Sequence, residues 1–409
     1  MHQSFASQSL ELAGPRKLKR SSAALRADPK GATLRAVPKP LFDFAASFAA
    51  LVLTIACGSS DHGVPTSTPT KCDNCGTTID GQAPADFWAA VPACLREVTT
   101  IDGTNPYCYS AAWSPTADIA LTGVAHEARL LSIDVANGAL TQLATYDEQD
   151  GNLVLEWEES GKYALSAGSD LRLFAIDANA PSITSLATYS AGTGQIYAAQ
   201  WSPDFTHALT AAEDGTIRLL DVDPAAPSLT ERAIFSGHVG KAFDVSWAPD
   251  GKHAVSAGID KTLRLLAVDT DRGQITELAR VTDTDWESAA RWGAGTPILS
   301  GTWGYRNALQ VWSTPDDFSA LDKTAEFVGQ TPGVQVIEWS HDRTRLIAAE
   351  HDDTLHLFSR SGMTLTAIGT LPAHYSGVHS VGWSADGKSL LAASSHGDIV
   401  TLVDLTGCD

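Results

Sequence analysis

Cys72 and Cys75 stand in a C-x-x-C within "KCDNCGTT", with Cys108 nearby. Thiols at that spacing bind zinc when a second pair completes four ligands. They work as a redox pair when they sit beside a βαβ pattern. Neither setting is written here: no second pair at matching spacing follows, and no βαβ pattern surrounds them. A small disulfide fastening this lead-in segment is the better reading, and which of the three cysteines is left over stays open. The acidic run "DEQDGN", Asp147 to Asn152, offers the clustered carboxylates that calcium prefers, and it suits a solvated turn better. "HEARL" at His126 lacks the second His of a zinc-protease helix, and neither G-x-S-x-G nor a phosphate-cradling glycine loop occurs. No catalytic, cofactor-binding or metal-ligating set is assigned from the sequence.

The elements that position these residues come from a repeated phrase. "WSPDFTHALTAAEDGTIRLLDVD" from Trp201 returns as "WAPDGKHAVSAGIDKTLRLLAVD" from Trp247. Copies align on Trp113, Trp157, Trp201, Trp247, Trp292, Trp339 and Trp383. An apolar residue precedes each Trp by two positions, from Ala111 to Val381. Thr122, Ser166, Thr210 and Ser256 follow it by nine, and Ser300 does so after a one-residue deletion. Each copy reads as four short alternating strands parted by turn residues, as in "DVSW", "HAVSAG", "LRLLAVD" and "ITELARV". One such sheet cannot bury both faces, so neighbouring sheets must stack, and a ring removes the exposed ends.

These copies, with "WSPD", "WAPDG", "WSADG" and "SGHVG", resemble the WD-repeat β-propeller family over about residues 95–405. The resemblance implies an all-β, seven-bladed β-propeller of four-stranded antiparallel blades. The Trp that names the family survives only as Trp312; Leu131, Phe174, Leu220, Leu266, Phe358 and Val403 hold its other places. Family members link His, Ser/Thr, Asp and Trp by buried hydrogen bonds. Blade four has His238, Ser256 and Asp260, but Leu266 cannot donate. Shorter bonds from Asp to Ser/Thr or to backbone, with apolar packing, are expected to take over.

The last copy ends at "TGCD" without a fourth strand, and "LREVTTID", Leu95 to Asp102, resembles the missing piece. This N-terminal strand is therefore expected to complete the last blade, leaving no unpaired strand at the seam. Alignment puts Cys94 and Cys408 at one hairpin, so a Cys94–Cys408 disulfide is predicted to fasten the circle; two buried thiols are the alternative.

Residues 1–56 carry eight of the 28 basic residues and three of the 48 acidic ones, so the rest of the chain has 20 basic and 45 acidic residues, a balance of -25. Such a surface repels phosphates, which argues against nucleic acid. "FAASFAALVLTIAC" is too short to span a bilayer as a mature helix and suits a secretory signal. With Ala56 before Cys57 and the tether-like "GSSDHGVPTSTPT" after it, the segment resembles a bacterial lipoprotein signal, which implies lipid modification of Cys57. Thr54 and Asp43 depart from that pattern. The expected organisation is a signal over 1–56, a lipid-anchored linker and lead-in over 57–93, and the propeller over 94–409.

Blade five is irregular. "DTDWESAARW" and "SGTWGYRNALQVW" add Trp286, Trp303, Tyr305 and Arg306 to loops expected on one face. Aromatics with Arg in loops compose a binding hot spot, or else local packing that compensates for the deleted residue. The function expected is a non-catalytic, monomeric platform for a protein or peptide at the cell envelope, without cofactor. The alternatives are a hydrolase or lyase acting at the channel mouth, and a periplasmic ligand or metal binder.

Overall fold

The computed structural model describes residues 95–408, apart from 103–107, 125, 148–153, 193, 284, 294, 296, 305–307, 329–332, 351–353, 372–376 and 395–398. Among the described residues, 28 strands form seven four-stranded antiparallel sheets. Six of these blades are consecutive in sequence, each running from the innermost strand outward. Blade four is Ala242–Trp247, His253–Gly258, Thr262–Asp269 and Gln274–Thr282, the division its apolar alternation predicts. The middle strands of a blade, such as His253–Gly258, alternate little because both of their faces are buried. Outer strands such as Gln274–Thr282 alternate cleanly between half-buried and exposed.

The seventh blade is assembled from both ends of the propeller, as expected. Arg96–Asp102 pairs with Ile399–Asp404, which continues into Ser389–Ser394 and Val378–Trp383. Its register carries a signature. In every blade the outermost strand bulges by one residue opposite the position of the family Trp: Leu143 is the extra residue opposite Leu130 and Leu131, and Leu278 opposite Leu265 and Leu266. Val98 bulges in the same way opposite Leu402 and Val403. The borrowed strand thus copies the backbone register of a resident one.

The core lies between blades, not within them. Seven apolar clusters fill the seven seams, and that between blades seven and one joins Leu391, Val400 and Leu402 to Cys108, Ala111 and Trp113. Burial of such residues stabilises each seam by roughly 25 cal/mol per Å² removed from water. At this closing seam Gly382 is pressed so tightly that a Cβ would come within 2.6 Å of the Trp113 amide nitrogen. In three copies the repeated Trp acts as a clasp on the backbone carbonyl of the neighbouring blade. Trp157 Nε1 donates to the Ala112 carbonyl at 2.8 Å, Trp201 to Glu156 at 3.3 Å and Trp383 to Glu338 at 3.2 Å.

Blade four keeps more of the family's hydrogen-bond set than its missing Trp suggests. His238 bridges Ser256 at 2.8 Å and Asp260 at 3.0 Å, and Asp260 also accepts from Thr262 Oγ1 at 2.7 Å and the Val239 amide at 3.1 Å. Leu266 is fully buried, so apolar packing does stand in for the Trp. A further partner is legible only in three dimensions: Arg264 reaches back to Asp260 at 3.0 Å, and Arg218 to Asp214 at 2.7 Å in blade three.

Of the cysteines, Cys108 is a buried thiol, which sets it apart from any pair in the lead-in. Cys408 is buried among Leu95, Val403 and Leu405. Cys57, Cys72, Cys75 and Cys94 lie outside the described residues, as does all of "DEQDGN" beyond Asp147.

Candidate functional site

The seven innermost strands enclose a channel of about 680 Å³. What faces it is decided by a second recurrent bulge. Residues three apart on a regular strand point to opposite sides. In six inner strands an extra residue is inserted four positions before the Trp: Tyr109, Tyr197, Phe243, Ser288, Gln335 and His379. The insertion resets the alternation, so this residue and the one directly before the Trp both line the channel. Two tiers result. The first, where the inner strands begin, is rich in rings: Tyr109 meets His379 edge-on at 5.7 Å, and Tyr197 meets Phe243 at 5.6 Å. Lys241 donates its ammonium to the Tyr197 hydroxyl at 2.6 Å, at the edge of that ring, and pairs with Glu213 at 3.1 Å.

The deeper tier is charged. Directly before their Trp stand Glu156, Arg291 and Glu338, from blades two, five and six. Arg291 pairs with Glu338 at 3.1 Å and with Asp244 of blade four, whose carboxylate also accepts from the Ala290 amide at 2.9 Å. Burial opposes the charge on Arg291, but Asp244 and Glu338 more than offset it and hold the guanidinium firmly protonated. Glu156 has no such partner. Its carboxyl keeps some contact with channel water yet is enclosed by protein. Burial first, and the charges of Glu338 and Asp244 after it, push its pKa up to about 8 against the pull of Arg291.

Trp286 and Trp303 are strand residues, not the loop residues the sequence implied. Trp286 opens the inner strand Trp286–Trp292, and Trp303 closes its neighbour Ile298–Trp303. They face each other as a cross-strand pair, rings 5.7 Å apart and nearly perpendicular. The hairpin extends because the two indoles cover each other. Trp286 remains 39% exposed, the largest exposed ring among the described residues, while Trp303 turns to the channel mouth. Gly333, at φ 101°, makes room for it: a Cβ there would lie 2.6 Å from Trp303 Cδ1. Tyr305 and Arg306 lie outside the described residues.

Glu156, Asp244, Arg291 and Glu338 escaped the sequence reading. The signal was present, since the residue before each repeated Trp runs Ala112, Glu156, Gln200, Ser246, Arg291, Glu338 and Gly382. Charges in a short strand ending at a buried Trp need a lumen to face. Among the described residues, no group of three or more His, Cys, Asp or Glu side chains is disposed to hold a metal ion.

Residues 183–221, 229–265 and 365–400 match the family model described as WD domain, G-beta repeat. Each matched stretch opens on the outermost strand of one blade and ends on the third strand of the next. The family unit therefore straddles two sheets, as the borrowed strand of blade seven requires. No curated protein matches the chain.

Proposed function

We propose that this WD-repeat-like seven-bladed β-propeller, a fold commonly used as a protein-interaction scaffold, captures a protein or peptide over the face where its channel opens among aromatic rings. The observation that carries this reading is the half-exposed Trp286 packed on Trp303 at that mouth, with Val239, 78% exposed, on a loop of the same face. A rigid aromatic anchor beside a concavity is the composition of an interface hot spot.

The rest of the proposal concerns where this face points. The chain is exported and tethered to a bacterial cell envelope through a lipid on Cys57. Its first propeller strand starts at the face opposite the mouth, which turns the mouth away from the tether. A Cys94–Cys408 bridge locks the seam. What supports the bridge is that Leu95, next to Cys94 in sequence, shares a buried core with Cys408.

Photo-crosslinking in cells tests the docking face. A diazirine side chain at position 286 is expected to give a defined adduct. The same group at Val135, exposed on a hairpin of the opposite face, is expected to give none. Adducts from Val135 alone would overturn the reading. Mass spectrometry of the mature N-terminus tests the anchor: a diacylglyceryl-modified Cys57 is expected, and an unmodified amine at any other residue refutes it.

A further inference from the structure

We propose that the channel receives a cationic group, the ammonium or guanidinium of a basic side chain carried by the docked partner, with Glu156 as its counter-charge. The inference rests on the docking reading above and names the chemistry of the segment that enters.

Three observations point to a cation. The deep tier holds three carboxyl groups against one guanidinium, and that guanidinium is committed to Asp244 and Glu338. The side-chain carboxyl of Glu156, unlike its backbone carbonyl, takes part in no hydrogen bond with a described residue, and Glu156 lines the enclosed volume. An extended side chain coming from the mouth passes Tyr109, Phe243 and Trp303 on its way to that carboxyl, and ring faces favour cations over neutral groups. The mouth already holds one ammonium, that of Lys241, between the Tyr197 hydroxyl and the Glu213 carboxylate. The volume, about 680 Å³, suits a side chain and its flanking backbone. The strongly acidic propeller steers basic partners towards it.

The groups facing Glu156 are Glu338, Asp244 and Arg291. Farther along the channel lie Glu159, His341 and Arg343, and His379 sits at the mouth. Burial and the two neighbouring carboxylates keep Glu156 protonated at neutral pH while no cation is present. A cation beside it reverses that balance, so binding expels a proton. Affinity must therefore rise with pH until the unliganded carboxyl ionises by itself, near pH 8, and level off above it.

The test is titration calorimetry of the intact protein with Nα-acetyl-arginine methylamide and Nα-acetyl-lysine methylamide, in buffers of different ionisation enthalpy. The norleucine analogue and n-butylammonium serve as comparators. The expected result is binding of at least one cationic probe, not of norleucine, with affinity rising about tenfold per pH unit from roughly pH 6 to 8. About one proton should be released per site at neutral pH. Glu156→Gln imitates the protonated carboxyl and so is expected to fold normally. It should abolish the pH dependence and cost at least about tenfold in affinity at pH 8 to 9. Equal binding of norleucine, pH-independent binding, or unchanged binding by Glu156→Gln would overturn the proposal. Butylammonium binding as tightly as the capped lysine would reassign the site to free amines and overturn the side-chain source. The arms separate the two readings. Crosslinking from position 286 without cation binding sinks this inference alone, and cation binding without crosslinking sinks the docking face alone.

Discussion

Blades four and five are neighbours that divide one hydrogen-bond set between them. Blade four keeps the His, Ser and Asp and replaces the Trp by Leu266. Its polar atoms close on themselves through His238, Ser256, Asp260, Thr262 and Arg264. Blade five keeps the Trp: Trp312 Nε1 donates to Ser300 at 3.0 Å, and Ser300 donates to Gln310 at 3.2 Å. Where blade four has His238, nine residues before its Trp, blade five has Asp283, which accepts from Gln310 at 2.6 Å. Glu287 is then left fully buried with neither oxygen closely hydrogen-bonded; burial pushes its pKa up to about 8, and neighbouring Ser300 pulls it down only in part. A satisfied set rigidifies a blade, while an unsatisfied one costs stability and is retained only where something else needs the space. The aromatic pair at the mouth belongs to the blade with the unsatisfied set. That difference separates a blade whose polar set is closed from the blade that carries the aromatic pair at the mouth.

The contrast is open to attack, most heavily at Asp260. Asp260→Ala should destabilise by about 3–5 kcal/mol in chemical denaturation, because it removes the acceptor shared by His238, Thr262 and the Val239 amide and leaves the buried Arg264 with Glu277 as its remaining carboxylate. A loss below about 1 kcal/mol would mean the closed set is decorative. The wild-type acid limb checks the same group. Burial works to raise the Asp260 carboxyl, but His238, Thr262 and the Val239 amide outweigh it and hold the pKa well below the usual range. Its contribution is therefore complete above about pH 4 and disappears as the pH falls towards the folded value.

Glu287 has the opposite sign. Its raised pKa means that the folded protein takes up a proton the unfolded chain gives away, so stability falls as pH climbs from about 4 to 8. Glu287→Gln should be near neutral at about pH 5 and stabilising at about pH 8, on the order of 2–4 kcal/mol. Equal effects at both pH values would show the carboxyl to be better served than its surroundings indicate. Trp312→Phe should cost about 1–2 kcal/mol through the lost bond to buried Ser300. The smallest change in stability belongs to Trp286→Ala, within about 1 kcal/mol for a ring already part exposed. If thermal melts show a much larger loss, the pair serves packing and not docking.

The blades, their number and the donated strand were legible in the sequence because each rests on local alternation, turn residues and a period that aligns. The channel was not. Tyr109 and Ala112, or Tyr197 and Gln200, are three apart and by simple alternation belong to opposite faces; only the inserted residue brings them to the same one. Trp286 and Trp303 were read as loop residues because nothing local announces that two indoles will prolong a hairpin. Arg264 and Arg218 look like ordinary members of an alternating strand until the fold sets Asp260 and Asp214 within their reach.

The register that joins Arg96 to Asp404 spans 308 positions of chain. The strand that any ribosome completes first in this propeller must therefore wait for the one it completes last, with its edge unshared until then. Folding of the other six blades can proceed in order of synthesis, but the circle shuts in a single late event governed by loop-closure entropy and not by local preference. Chaperone dependence and vulnerability to proteolysis should concentrate in that interval.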